Sequence, residues 1–156
     1  MIIRSYKSTD LDTVWKLHNE ALQATGAHLG NGSWDQDLKN IPEIYLQNQG
    51  CFLVGVKNEH IVAMGALKRT DSIRAEIKRM RVHPNFQQRG YGTELLKALE
   101  TEATRLGYQM LHLDTTTLQI AAQKLYETHG YQKVGTGTVG EFNTLLYEKT
   151  LTGHEK

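Results

Sequence analysis

The chain has 156 residues, 39% apolar and 22% charged, and its 18 Lys+Arg against 17 Asp+Glu leave a net charge of +1. That is enough chain for one core in one domain, and the near-neutral balance argues against a surface built to grip nucleic acid. No apolar run approaches the ~18–20 residues that cross a bilayer, the Met1–Tyr6 start is too short and too soon charged for a secretory signal, and the single Cys51 allows no internal disulfide, so a cytoplasmic protein is expected.

In chain order, Ile2–Tyr6 predicts a first strand. Ser8-Thr9-Asp10 then opens a helix, with Thr9 and Asp12 at capping-box spacing. Leu11, Val14, Trp15, His18, Ala21 and Leu22 fall on one helical stripe. Gly26–Gly32 is a loop, and a second helix is expected over Asp35–Gln47, with Pro42 marking a first turn of its later half. Cys51–Val56 and Ile61–Leu67 predict a hairpin. Arg74–His83 is a third strand, stopped by Pro84, whose imperfect alternation fits a bulge. The clearest helix covers Gly92–Leu106, with Leu95, Leu96, Leu99, Ala103 and Leu106 on its apolar face. A short strand at Met110–Asp114, a helix over Gln119–His129, and a final pair, Tyr131–Thr138 with Phe142–Lys149, complete an alternating α/β pattern.

The segment from His83 to Gly92 joins a strand to that strong helix. Gly90 and Gly92 let the backbone approach a ligand, and a helix start offers unpaired N–H groups and partial positive charge to an anion such as a phosphate. Leu95 stands where a dinucleotide fingerprint needs a third small residue, and there is no Gly-Lys-Ser/Thr, so neither a Rossmann site nor a P-loop is present. Spacing alone leaves a plain glycine turn and an anion site equally open.

Gln87-x-x-Gly90-x-Gly92 after Met80-x-Val82, followed by Ala122-x-x-Leu125-Tyr126-x-x-x-Gly130-Tyr131, resembles the GCN5-related N-acetyltransferase (GNAT) family. The resemblance extends from Ile2 to about Tyr147 and is strongest from Glu76 to Gly130. It implies one N-acetyltransferase domain over 1–150 with a short tail at 151–156. The implied fold is a mixed, mostly antiparallel sheet of about seven strands flanked by about four helices, with a splayed parallel strand pair at the cofactor. Acetyl-CoA is the implied donor. By the same resemblance, backbone groups of Met80, Arg81 and Val82 hold the pantetheine arm. Amides from Gln88 through Thr93 (Gln88, Arg89, Gly90, Tyr91, Gly92 and Thr93) hold the pyrophosphate, Gln119 hydrogen-bonds the arm, and Gln87 and Ala122 are further cofactor-binding residues. A homodimer is also compatible with it.

Amide formation from a thioester requires loss of a proton from the amine and departure of a thiolate. A lysine-like amine with pKa ~10.4 lies ~3.4 units, about 4.6 kcal/mol, from its free base at pH 7, whereas a thiol of pKa ~8.5 lies only ~1.5 units from leaving unaided. The base therefore matters more than the acid for such an acceptor. The family resemblance makes Glu76 the base, acting through water, and Tyr126 the acid that protonates the departing thiolate. Cys51 reads as a small buried hydrophobe rather than a nucleophile, and the seven histidines show no metal-ligand spacing. His28 and Trp34 are candidates for lining the acceptor pocket. The expectation is direct transfer to a primary amine of a small molecule, amino acid or peptide, with no metal, nucleic acid or membrane involved. The alternatives are a CoA-binding regulatory module without turnover and a transferase for a longer acyl group.

Overall fold

The structure, a computed structural model, describes residues 1–27 and 33–151, with the side chains of 33 and 34 excepted. Seven strands form one sheet in the order β1-β2-β3-β4-β5-β7-β6. They are β1 Ile2–Ser5, β2 Cys51–Lys57, β3 His60–Arg69, β4 Arg74–Val82, β5 Met110–Thr116, β6 Gln132–Val139 and β7 Phe142–Thr150. The helices are α1 Leu11–Thr25, α2 Tyr91–Arg105 and α3 Ile120–Thr128. Every neighbouring strand pair is antiparallel except β4 and β5. This is the mixed, mostly antiparallel sheet that the resemblance implied.

Both faces of the central strands are covered, which explains why they read as continuous apolar runs rather than alternating ones. Phe52, Val54, Met64 and Ala66 pack with Val14 and Leu17 of α1. Leu53, Ala63, Leu67, Ala75 and Ile77 face the leucines of α2 together with Tyr126, Tyr131 and Tyr147. The β2–β3 hairpin forms as expected, with Asn58 and Glu59 at φ 50° and 67° in its turn.

Two expectations are corrected. The start of α1 is fixed by Asp10 rather than by a Thr9–Asp12 pair. The Asp10 carboxylate accepts the Lys7 backbone N–H at 2.8 Å and the Arg4 guanidinium at 2.8 and 3.0 Å. The single helix expected over Asp35–Gln47 is instead two short helical segments, Ser33–Lys39 and Pro42–Leu46. Pro42 lacks the N–H that continuation requires, so it begins the second segment. Leu38, Ile41 and Tyr45 are nonetheless all buried.

The expected bulge lies in β4. Met64 pairs with Arg81 and Ala66 with Lys78, so Gly65 alone stands opposite Arg79 and Met80. Arg79 takes a left-handed φ of 59°, unfavourable for a residue with a side chain. Its guanidinium is held in place by Asp37, with Nε donating to Oδ2 at 2.8 Å and Nη2 to Oδ1 at 2.5 Å. The Tyr45 hydroxyl also donates to Asp37. Burial acts to raise the Asp37 carboxyl, but the Arg79 hydrogen bonds and charge outweigh it and hold the carboxyl below its ordinary range.

β4 and β5 pair in register only at Arg74–Met110, Ala75–Leu111 and Glu76–His112. Beyond them the strands part, leaving the edge of β4 from Ile77 to Val82 without β5 as a partner, roughly 20 Å of strand. Among the described residues no helix is long and apolar enough to cross a membrane.

Replacing Arg79 by Met strands the Asp37 carboxylate without its cation, and urea denaturation is expected to show a loss of about 3 kcal/mol. Arg105→Met breaks only an exposed pair with Glu102 and leaves the midpoint unchanged. Equal shifts for the two variants would contradict the anchoring role of Arg79.

Candidate active site

The gap between β4 and β5 opens into a cavity on each side. One is walled by Met80, Arg81 and Val82 of β4, by the loop into α2, and by one face of α3. The other is walled by α1, the bulged part of β4, and the ends of β5 and β7. Met80, Arg81, Gln119, Ala122 and Tyr126 belong to both walls, so the two cavities meet at a junction formed by these five residues.

At the first cavity, Gln87, Gln88, Gly90, Tyr91, Gly92 and Thr93 come together as the motif suggested. Gln88 and Gly90 turn the chain with φ of 61° and 82°. α2 then begins at Tyr91 with no side chain capping it, so its first N–H groups remain available to an anion. Gly92 is there for close approach: a Cβ would sit 3.3 Å from Leu125 Cδ2 and 3.9 Å from Val82 Cγ2. Gln87 Nε2 donates to the Val82 carbonyl at 3.3 Å and braces the loop. Arg89 stands apart from this wall, with its guanidinium 5.1 Å above the Phe86 ring.

At the junction, Tyr126 is 4% exposed and packs edge-on to Tyr131 at 5.6 Å. Its hydroxyl makes no hydrogen bond among the described residues. Burial pushes the phenol above its ordinary range, the Arg81 charge pulls it back, and Asp114 raises it further. It is therefore a protonated donor at neutral pH. Gln119 Oε1 accepts from the Thr116 N–H and Thr116 hydroxyl, both at 3.1 Å, and from the Thr115 hydroxyl at 3.2 Å. That ties its carbonyl end to the end of β5, beside the junction of the two cavities.

The second cavity holds groups that the sequence reading did not single out. His18 is 1% exposed, and its Nε2 is 2.9 Å from Asp35 Oδ1. Its Nδ1 is buried without a hydrogen-bond partner among the described residues. Burial first, then the charges of Arg81 and Arg79, push the imidazole down to about 4, against the pull of Asp35. The ring is thus neutral at pH 7. Arg79 Nη1 lies 3.8 Å from the same Asp35, so bulge, loop and α1 meet at one carboxylate. A polar residue within the apolar stripe of α1 was the signal that could have found His18.

The remaining candidates lie elsewhere. Glu76 forms the last register pair before the strands separate, opposite His112, and lines neither cavity. His28 lies outside the described residues. Trp34 falls in the Ser33–Lys39 segment, with its side chain outside them as well. Cys51 is buried in the sheet, where burial and then Glu102 push its thiol up to about 12, so no thiolate is available.

A model of the "Acetyltransferase (GNAT) family" matches residues 11–131. The N-acetylaspartate synthetase of Danio rerio is 33% identical over 101 residues, covering 64% of this chain and 36% of that protein. The chain spans about a third to a half of the length of the curated relatives it matches. A GNAT acetyltransferase structure from Staphylococcus aureus Mu50 superposes with a TM-score of 0.89 at 20% identity, covering 97% of this chain and 99% of that one. The structure of yncA from Salmonella typhimurium, solved with acetyl-CoA, superposes with a TM-score of 0.78 at 19% identity, covering 99% and 96%. At these identities the two structures speak for the fold, and the family match speaks for the lineage. The chain belongs to the GNAT acetyltransferase family.

Proposed function

We propose that this chain transfers the acetyl group of acetyl-CoA to a primary amine of a small molecule, amino acid or peptide, by direct transfer while both substrates are bound. The observation that carries the reading is the pair of cavities that meet at the splayed strands, with an uncapped helix start beside one of them and Tyr126 at their junction. In this reading the N–H groups at the start of α2 receive the pyrophosphate. The free edge of β4 from Met80 to Val82 accepts the pantetheine amides as a neighbouring strand would. The amide end of Gln119 reaches the same arm.

The amine enters from the second cavity, whose volume of about 220 Å³ lies below the ~300–1,000 Å³ of sites for drug-sized ligands. That size favours a small acceptor within the stated class. The amine nitrogen attacks the thioester carbonyl, the C–S bond breaks, and Tyr126 gives its proton to the departing sulfur. A backbone N–H near Met80–Val82 faces the developing oxyanion. Glu76 takes the amine proton through water, because it lies roughly 13 Å along β4 from Met80.

Release of thiol from acetyl-CoA across a panel of small amines tests the reading. Turnover with at least one class is expected, and bound CoA with no release for any amine would indicate a module without catalysis. Tyr126→Phe should lower kcat on the order of a hundredfold while leaving the acetyl-CoA affinity within about twofold. Equal activity at every pH would remove Tyr126 as the acid. Glu76→Gln should lower kcat/KM on the order of a hundredfold with acetyl-CoA affinity kept, and unchanged turnover would exclude Glu76 as the base.

A further inference from the structure

Two arginines of β4 face the second cavity, and they are treated differently. Arg79 is saturated by Asp37 in a two-bond fork and lies near Asp35 as well. Arg4, Arg74 and Arg105 likewise each hold a carboxylate. Arg81 does not. Among the described residues its one side-chain hydrogen bond runs from Nη1 to the carbonyl of Met80 at 2.9 Å, and its Nε is buried without a partner there. No carboxylate among the described residues pairs with it.

A guanidinium confined in this way is costly unless an anion meets it. Burial, followed by the charge of Arg79, pushes it down to about 10, against the weaker pull of Tyr126, Asp35 and Asp37. Among the described residues Asp35 and Asp37 act on it only through their charge and no carboxylate hydrogen-bonds it, so an anion bonded to it arrives with a ligand. Arg81 sits at the junction, where the reading above places the thioester and amides of acetyl-CoA, all uncharged. The phosphates of that molecule belong at the start of α2. The missing negative charge therefore comes from the acceptor side. Asp114, exposed on the facing strand β5, lines the same cavity and offers the opposite sign. A cation on one wall and a carboxylate on the other complement a zwitterion better than a simple amine or a dianion.

We propose that the Arg81 guanidinium binds the carboxylate of the acceptor, which makes the substrate an amine with a nearby carboxylate, as in a free amino acid, with its amine directed toward Asp114. The assignment rests on acetyl transfer at the junction of the two cavities. It takes the small-molecule end of the acceptor class and excludes protein side chains, whose backbone carboxyls are already in peptide bonds. Planar two-bond recognition suits Arg and a carboxylate, and Lys reproduces it only in part.

The test compares free amino acids with their carboxamides (glycine with glycinamide, L-alanine with L-alaninamide, L-aspartate with L-aspartic acid α-amide) by thiol release from acetyl-CoA. Carboxamides carry the less basic amine, so a preference for the acids runs against intrinsic reactivity. The wild-type protein is expected to favour the acids in kcat/KM by on the order of tenfold to a hundredfold, mostly through KM. Arg81→Gln should collapse that ratio toward one, and Arg81→Lys should restore part of it. Acetylation of the amides as fast as the acids by the wild-type protein overturns the assignment and leaves acetyl transfer standing, whatever the variants do. A ratio that survives Arg81→Gln also overturns it. No thiol release with any acid or amide, from protein that binds acetyl-CoA in a calorimeter, overturns this assignment, and the transfer reading falls with it only where the wider panel of amines gives no release either.

Discussion

The ion pair between Arg79 and Asp37 fixes the feature on which the rest of the site depends. A side-chain-bearing residue does not settle in the left-handed region without compensation, and at Arg79 two charge-assisted hydrogen bonds to a half-buried carboxylate provide it. The bulge they hold puts two residues of β4 opposite one of β3 and bends the strand. Parallel pairing with β5 then ends after Glu76, and the sheet opens where an uninterrupted sheet would stay closed.

The opening has two chemical consequences. It exposes a strand edge whose hydrogen-bonding groups would otherwise be spent on β5, a surface suited to an extended ligand with amides of its own. It also leaves Tyr126 lining the junction of the two cavities, although its ring is buried among Tyr131 and Tyr147. The phenol is held protonated by its surroundings while Arg81 moderates the rise. On the far side the same bulge joins Asp35, and through it His18, so the wall of the second cavity and the shape of β4 are set by one charged cluster.

Most of the framework was legible in the sequence because it follows from local rules. Pro84 ends β4, Gly107 and Gly130 follow the ends of α2 and α3 with positive φ, and the leucine spacing of α2 marks its buried face. The loop before α2 was legible because its chemistry is backbone chemistry, encoded by glycines at short range. The charged cluster was not, because its members are brought together by tertiary folding. Asp37 and Arg79 are 42 residues apart and His18 and Asp35 are 17 apart, with no spacing rule to connect them. Pro42 was visible, but its consequence was underread: it divides the expected helix into two segments, and Asp35 and Asp37 lie in the first. Arg81 was read for its backbone, and its side chain proves to be the less satisfied part.

The central claim is that the opening between β4 and β5 is the seat of acetyl-CoA. Amide hydrogen exchange with and without CoA tests it most directly. The account predicts slowed exchange at Met80–Val82 on the β4 edge and at Gly90–Thr93 at the start of α2, with β1 and β2 unaffected. Protection confined to other elements, or none at these two segments at saturating CoA, would contradict it.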